Sequence, residues 1–173
     1  MTESELQEQL EQLHAASYGW ALSCCSRRPD EAEDVLQNAY LKILDGRARY
    51  DGRSAFKTWL FSVIRNTAAD ERRRGWLRRL RLSGYREERA ADVHPPARAE
   101  ALEQSEQSAA FRAALAQLPR RQQEILHLVF YQEMTIEDAA AAIGVSLGSA
   151  RTHYERGKAR LRTLLKQPGA AAS

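Results

Sequence analysis

The spacing of the apolar residues is the feature that most constrains the fold. Leu6, Leu10 and Leu13 begin a pattern in which apolar residues recur every three or four positions. Leu60 and Ile64 continue it in mid-chain, and such spacing places side chains on one side of an α-helix. No stretch shows the alternating apolar and polar order of a half-buried β-strand. We therefore expect an all-α protein.

The first block of this pattern predicts three helices. The first spans residues 4–26. The second begins with Asp30 as its N-cap, because Glu33 follows three residues later, as in a capping box. A loop at 45–54 leads to a third helix at 55–74. The second helix should turn its apolar side toward the core, and that side consists of Val35, Leu36, Ala39, Tyr40 and Ile43.

The periodicity fades after residue 82, which divides the chain into two modules. The stretch that follows contains Gly84, Pro95 and Pro96, residue types that favour turns and extended backbone. We expect a flexible linker here, and whether its end is helical stays open. The predicted divisions are a helical domain at 4–82, a linker at 83–108, a second helical domain at 109–167 and a disordered tail at 168–173.

The second module has the pattern of a helix-turn-helix, in which two short helices cross closely at a tight turn. Thr135 and Ser146 stand as N-cap residues at the two expected helix starts, and Gly144 can adopt the left-handed conformation of the turn. Ala140 is the small residue that lets the two helices approach. The other helices of this module are expected at 111–118, at 119–131 and, after the turn, at 147–166.

Charge is distributed unevenly along the chain. Residues 1–46 contain nine acidic and three basic residues, whereas residues 72–81 contain six arginines and no acidic residue. Residues 147–167 contain six basic residues and one acidic residue. Two separate basic stretches indicate two contacts with a polyanion, and the acidic first part suits a different partner. The alternative for the last stretch is a solvated basic face on an ordinary helical hairpin.

One side of the last helix has the residue types that read DNA bases. Near the start of this helix, arginine can pair with guanine, threonine can contact the methyl group of thymine, and glutamate can accept from cytosine. The residues on that outward side are Arg151, Thr152, Glu155 and Arg156. Basic residues further along the same helix suit phosphate contacts, and these are Lys158, Arg160, Arg162 and Lys166.

Several stretches resemble the bacterial sigma-70 family of RNA polymerase sigma factors. In the second module, three segments resemble region 4 of that family, namely residues 118–126 (LPRRQQEIL), 134–140 (MTIEDAA) and 144–151 (GVSLGSAR). In the first module, residues 30–41 (DEAEDVLQNAYL) resemble region 2.2, and residues 54–60, 64–68 and 72–74 resemble regions 2.3 and 2.4. With these two regions alone, the chain is similar to the small extracytoplasmic-function (ECF, group IV) sigma factors. Ser149 and Ala150 stand where the family usually has threonine and valine.

The resemblance implies an alternative sigma factor, which binds core RNA polymerase and directs promoter-specific initiation by recognising −35 and −10 elements. The implied partners are promoter DNA, the β′ clamp helices and β flap of the polymerase, and an anti-sigma factor that the sequence itself does not show. The implied core-binding residues are Asp34, Gln37, Asn38 and Leu41. The implied −10 residues are Asp51, Arg53, Ser54, Arg65, Asn66, Arg72 and Arg73, and the −35 residues are Arg151, Thr152, Glu155 and Arg156.

Two other classes of function are weighed against this one. A DNA-binding regulator that acts without polymerase accounts for the helix-turn-helix but not for the first module. An enzyme needs a motif such as a phosphate-binding glycine loop, an HExxH pair or a nucleophile elbow, and the sequence contains none of these. We therefore expect no catalytic residue and no cofactor.

The remaining residues bear on the compartment and the core. The only cysteines, Cys24 and Cys25, are neighbours, which excludes a disulfide framework and suits a reducing cytoplasm. We expect both to be small buried residues and not metal ligands. The acidic N-terminus and the lack of a long apolar run predict a protein without membrane insertion. Trp59 should lie in the core, Trp76 suits either a partner or surface packing, and Gly157 indicates close packing.

Overall fold

The computed structural model describes residues 1–83 and 106–167, and all regular structure within these ranges is α-helical, as expected. The helices are α1 (Glu3–Gln12), α2 (His14–Cys24), α3 (Pro29–Leu44), α4 (Phe56–Leu82), α5 (Glu106–Ala116), α6 (Arg120–Phe130), α7 (Ile136–Ile143) and α8 (Leu147–Lys166). Most of the predicted linker and the predicted tail lie outside the described residues. Contacts divide the described residues into two compact units: 1–52 with 60–83, and 53–59 with 106–167.

Trp20 on α2 forms the centre of the core of the first unit. Its indole N–H donates to the carbonyl oxygen of Phe61 at 3.0 Å, and the two rings stack with centroids 6.0 Å apart. Because the indole nitrogen has a partner, the whole side chain can be buried without an unsatisfied donor. The apolar sides of α3 and α4 close around this pair, and the buried residues there include Val35, Leu36, Ala39, Ile43, Leu60 and Ile64. The inward side predicted for α3 is therefore confirmed, with Tyr40 half-buried.

Three predicted helix boundaries are wrong. The helix expected at 4–26 is divided at Leu13, although the backbone bonds Leu13 N to Gln9 O and Ser17 N to Leu13 O continue through the division, so it is a local bend. Asp30 lies inside α3 and not at its cap, because Pro29 takes the first helical position, where a missing N–H costs no bond. The third helix continues past its predicted end at Arg74 to Leu82.

In the second unit, the helix-turn-helix has the predicted N-cap residues and the predicted turn glycine. The hydroxyl of Thr135 caps α7 by accepting from the amide of Asp138 at 3.0 Å, and Ser146 caps α8 by accepting from the amide of Ser149 at 3.1 Å. Gly144 has a φ of 70°, the left-handed conformation of the turn. α5 begins at Glu106, inside the predicted linker, so the end of that linker is helical.

Gly157 lies at the closest approach of α8 to α6. A Cβ atom at this position would lie 3.0 Å from Leu126 Cδ1 and 3.2 Å from Gln122 Cβ. Leu126 is fully buried, in a cluster with Leu115, Leu118 and Leu161. The close packing predicted for this glycine is confirmed, because a side chain here would push against a filled core.

Candidate functional site

The predicted base-reading residues lie together on one exposed side of α8. Arg151, Thr152, Glu155 and Arg156 are all exposed, while Ala150 and Leu161 on the other side are buried. The periodicity of α8 therefore places the four side chains as the sequence predicts. Among the described residues, neither Arg151 nor Arg156 forms an ion pair, so both guanidinium groups are available to a ligand.

Two of the four side chains already have partners within α8. The hydroxyl of Thr152 donates to the carbonyl of Gly148 at 3.1 Å, which leaves its methyl group to face outward contacts. Glu155 pairs with the ammonium of Lys158 at 3.3 Å, and that ammonium also lies 4.5 Å from the centroid of the Tyr154 ring. Both side chains are therefore engaged within α8, in contrast to the two arginines.

Arg121 is a positioning residue that sequence reasoning missed. Its guanidinium donates to the carbonyl of Ile143, the last residue of α7, at 3.1 Å and lies 3.4 Å from the carboxylate of Glu124. The end of a helix leaves carbonyl groups without intrahelical partners, so this bond stabilises the turn before the recognition helix. Arg121 and Ile143 are 22 residues apart, and no local pattern predicts such a pair.

The residues predicted for the −10 element lie partly in the loop before α4 and partly on α4. In the loop, Asp51 and Arg53 are exposed, and the half-buried Ser54 donates its hydroxyl to the carbonyl of Ala55 at 3.3 Å. Gly52 between them has a φ of 74°, which lets the backbone turn there without strain. Within residues 51–54, the exposed charged groups are therefore the Asp51 carboxylate and the Arg53 guanidinium.

On α4, the predicted −10 residues differ in how far they are exposed. Asn66 and Arg73 are exposed and share one side of the helix, being two turns apart, and Arg65 is half-buried. Arg72 is also half-buried, and its guanidinium donates to the carbonyl of Cys24 at 2.8 Å. This bond joins the end of α2 to α4, so Arg72 has a positioning role whatever else it contacts.

The predicted docking residues on α3 all lie on its exposed side. Asp34, Gln37 and Asn38 are exposed, and half of the Leu41 side chain (51%) is open to solvent. The amide of Asn38 donates to the carboxylate of Glu71 on α4. Leu44 is 59% exposed and extends this surface by one further turn, which the sequence reasoning had not included. The result is a polar, acidic helix face with an apolar end.

α3 is fixed to α4 along one edge of this predicted docking face. The ammonium of Lys42 donates to the hydroxyl of Thr67 at 3.1 Å and to the carboxylate of Asp70 at 3.3 Å. Together with the bond from Asn38, these contacts tie the two helices at three points. The orientation of the α3 face relative to the exposed residues of α4 is therefore set by side-chain bonds as well as by the core.

Metal and thiol chemistry find no support in the described ranges. Within 1–83 and 106–167, no three histidine, cysteine, aspartate or glutamate side chains are grouped so that they could hold a metal ion. Cys24 and Cys25 are buried, as predicted, and no disulfide joins them. Burial raises the pKa of the Cys25 thiol to about 11, and the neighbouring Glu31 carboxylate acts in the same direction. The thiol is therefore protonated, and poorly reactive, at neutral pH.

Trp59, which was expected in the core, is half-buried, and its ring centroid lies 5.3 Å from that of Phe56. Trp76 is 56% exposed near the end of α4.

No helix in the described part of the chain is both long enough and apolar enough to span a bilayer.

Comparison with known proteins identifies both units. Residues 10–78 match the family model of sigma-70 region 2, and residues 108–161 match that of sigma-70 region 4. The ECF RNA polymerase sigma factor SigX of Bacillus subtilis (strain 168) is 32% identical over 135 residues, which cover 77% of this chain and 70% of SigX. The chain belongs to the sigma-70 family, in its ECF group. It is an alternative sigma factor that directs promoter-specific transcription initiation by RNA polymerase.

Other relatives of this sigma factor agree in sequence and in fold. EcfG of Rhodopseudomonas palustris (strain TIE-1), an ECF sigma factor, is 32% identical over 146 residues, which cover 84% of this chain and 77% of EcfG. The sigma factor RpoE of Bartonella quintana, solved in complex with the anti-sigma factor NepR, is 27% identical with a TM-score of 0.73. That match covers 95% of this chain and 99% of RpoE. CnrH, solved with the cytosolic domain of CnrY, shares the fold at 22% identity and a TM-score of 0.62.

Proposed function

We propose that this sigma factor reads the −35 element with Arg151, Thr152, Glu155 and Arg156. The observation that supports this most is that the four side chains are exposed together on the first half of α8, directly after the helix-turn-helix turn. A recognition helix enters the major groove at this part of its length, where arginine forms bidentate bonds to guanine. The two arginines without ion pairs are the strongest candidates for base contacts.

The −35 proposal is tested by Arg151→Ala and Arg156→Ala in the assembled polymerase. Each change should weaken binding to the cognate promoter by about 1–3 kcal/mol and relax specificity at one base position. The matched control is Arg162→Ala, an exposed arginine further along α8. If Arg162 contacts a phosphate, its loss should weaken binding to every DNA sequence equally and reduce the salt dependence. Equal losses on cognate and unrelated DNA for Arg151→Ala and Arg156→Ala would refute base reading by α8.

We propose further that Asp34, Gln37, Asn38 and Leu41 bind the β′ clamp helices of core RNA polymerase. A polar, acidic face with an exposed leucine suits a protein partner with basic groups, and it would repel DNA phosphates. Asp34→Arg should abolish capture of core polymerase while leaving the fold intact, because the residue is exposed. Glu8→Arg on α1 makes the same charge change at another exposed position and serves as control. Wild-type capture by Asp34→Arg would show that the docking face lies elsewhere.

For the −10 element we propose readout by two groups of residues, one in the loop before α4 and one on α4. These groups are Asp51, Arg53 and Ser54 in the loop, and Arg65, Asn66, Arg72 and Arg73 on the helix. Donors and acceptors of this kind suit unstacked bases and their phosphates, and the most exposed of them are Asp51, Arg53, Asn66 and Arg73. Because Arg72 also bonds the Cys24 carbonyl, Arg72→Ala should lower stability as well as promoter opening, whereas Arg73→Ala should affect opening alone. Equal melting temperatures for the two variants would contradict this division.

We also propose a compartment and further partners for this sigma factor. We place the chain in the cytoplasm, without catalytic activity of its own, since nucleotide chemistry belongs to the core polymerase. The region 4 contact is proposed to be the β flap. An anti-sigma factor is proposed as a further partner because RpoE of Bartonella quintana was solved with one. Affinity purification should recover the chain either with core polymerase or with the inhibitor, and a ternary complex of all three would contradict sequestration.

A further inference from the structure

The last two turns of α4 expose four large apolar residues, of which three lie side by side and form what we call the α4 stripe: Trp76, Leu77 and Leu80. Their side chains are 56%, 42% and 50% exposed. Leu80 is four positions from Trp76 and three from Leu77, so it neighbours both on the helix surface, and the three form one continuous apolar surface. The surface projects from a helix end and not from the core of the first unit.

The polarity of α4 is inverted in this segment. In the first part of the helix, Ile64 and Ala68 are buried and mark the side that faces the core. Helical spacing continues that side through Arg72 and Gly75. Neither residue has an apolar side chain, since one is charged and the other has no side chain. Trp76 and Leu80 lie on the opposite side of the helix. An apolar side that faces away from its own core is the pattern of a surface that another molecule covers.

The surroundings of the α4 stripe are strongly basic. Residues 72–81 contain six arginines and no acidic residue. The exposed Arg74 and Arg81 lie one turn from Leu77, and the exposed Arg79 lies one turn from Trp76, so arginines flank the stripe on both sides. An arginine can hold a carboxylate by two parallel hydrogen bonds, which makes such a rim selective for acidic partners.

We propose that the α4 stripe is a docking site for an acidic amphipathic helix of a partner protein. Apolar residues three and four positions apart match the anchor spacing of a second helix laid against the first. The arginines on either side match carboxylates that flank the apolar anchors of that helix. Leucine side chains give bases and phosphates nothing to bond, which disfavours nucleic acid as the occupant. The site does not depend on the promoter-reading residues proposed above.

The test is a selection of peptides on the full chain. A displayed library of helical peptides is selected for binding to the wild-type protein and depleted on the double variant Leu77→Gln/Leu80→Gln. The enriched peptides should have apolar residues three and four positions apart with aspartate or glutamate beside them. Because all three positions of the stripe are exposed, the substitutions should leave the circular dichroism spectrum and melting temperature unchanged.

Single variants then decide whether the selected peptides bind the stripe. Leu80→Gln should raise the Kd about tenfold or more, because burying a leucine contributes more than the roughly 1.4 kcal/mol that a factor of ten represents. Leu165→Gln, which removes a leucine of 46% exposure from α8, is the matched control and should leave the Kd unchanged. Arg81→Gln, beside Leu77, should weaken binding at low salt and have less effect at high salt.

Three results would overturn the proposal. The first is enrichment of basic or uncharged peptides, or of none that distinguish the wild type from the double variant. The second is equal binding by the wild type and Leu80→Gln. The third is a change in the fluorescence of the exposed Trp76 when single-stranded DNA or phosphatidylglycerol vesicles are added. If Leu80→Gln abolished that change and the selected peptides did not produce it, the occupant of the stripe would belong to another class.

Discussion

Replacing Gly157 with alanine sets two opposing effects of known size against each other. Alanine is favoured over glycine inside a helix by about 0.8–1.0 kcal/mol, so propensity alone predicts that Gly157→Ala stabilises α8. The new methyl group would lie 3.0 Å from Leu126 Cδ1, 3.2 Å from Gln122 Cβ and 3.3 Å from Leu126 Cγ. Overpacking a filled core costs about 1–3 kcal/mol, so the structure predicts the opposite sign.

Whether the neighbours can move decides which effect is larger. Leu126 is fully buried and packs against Leu115, Leu118 and Leu161, so its side chain has no open space to enter. Gln122 makes contact through its Cβ atom, which moves only with the backbone of α6. We therefore expect Gly157→Ala to lower the free energy of unfolding of the second unit by about 1 kcal/mol, the clash exceeding the propensity gain.

The assay has to report on the second unit alone. Trp20 and Trp76 belong to the first unit, whereas Trp59 lies in the segment 53–59 that groups with the second, so tryptophan fluorescence does not report on the second unit alone. Hydrogen exchange of the α6 and α8 amides measures the opening free energy where the methyl group is added. Gly75→Ala, in the interior of α4 with nothing within 4 Å of the added Cβ, is the control and should stabilise its helix. Slower exchange in α6 and α8 of Gly157→Ala than of wild type would refute the packing argument.

Two further predictions concern residues that are not among the proposed DNA and polymerase contacts. Arg121→Ala removes the bond to the Ile143 carbonyl and the guanidinium beside Glu124. Because Arg121 is partly exposed, the loss should destabilise the turn by about 1–2 kcal/mol. Hydrogen exchange in α7 as slow as in wild type would contradict this. The pKa of the Cys25 thiol is raised from its ordinary 9.0 to about 11, so the folded state opposes thiolate formation. The free energy of unfolding of the wild type, relative to that of Cys25→Ala, should therefore fall as the pH rises from 9.0 to about 11. Urea titrations across that range measure the difference, and a pH-independent difference would show that the thiol is not shielded.

The features that were predictable from the sequence depend on local chemistry or on helical phase. Thr135 and Ser146 cap helices with their own hydroxyl groups, and Gly144 turns the chain because only its φ matters there. The exposed faces of α3 and α8 follow from the spacing of buried residues such as Ala39 and Ala150. These features need no knowledge of which helix packs against which.

The features that were missed depend on tertiary contacts or on weak local preferences. Arg72 bonds a carbonyl 48 residues away, and Asn38 bonds a carboxylate 33 residues away, distances that no sequence pattern connects. The extension of α4 to Leu82 was missed because Gly75 and the arginine run resemble a helix end, yet arginine is a good helix former and no proline intervenes. The bend at Leu13 interrupts neither of the backbone bonds around it, so nothing in the sequence marks it.

The central claim is that this chain gives core RNA polymerase its promoter specificity through two DNA contacts. The most direct measurement mixes the purified chain with core polymerase and genomic DNA from the source organism and sequences the run-off transcripts. The account predicts discrete start sites that appear only with the chain, each preceded by two shared motifs, and a loss of these starts with Asp34→Arg. Transcription without chain-dependent starts, with the chain shown to be folded, would contradict it and would favour a DNA-binding regulator that acts without polymerase.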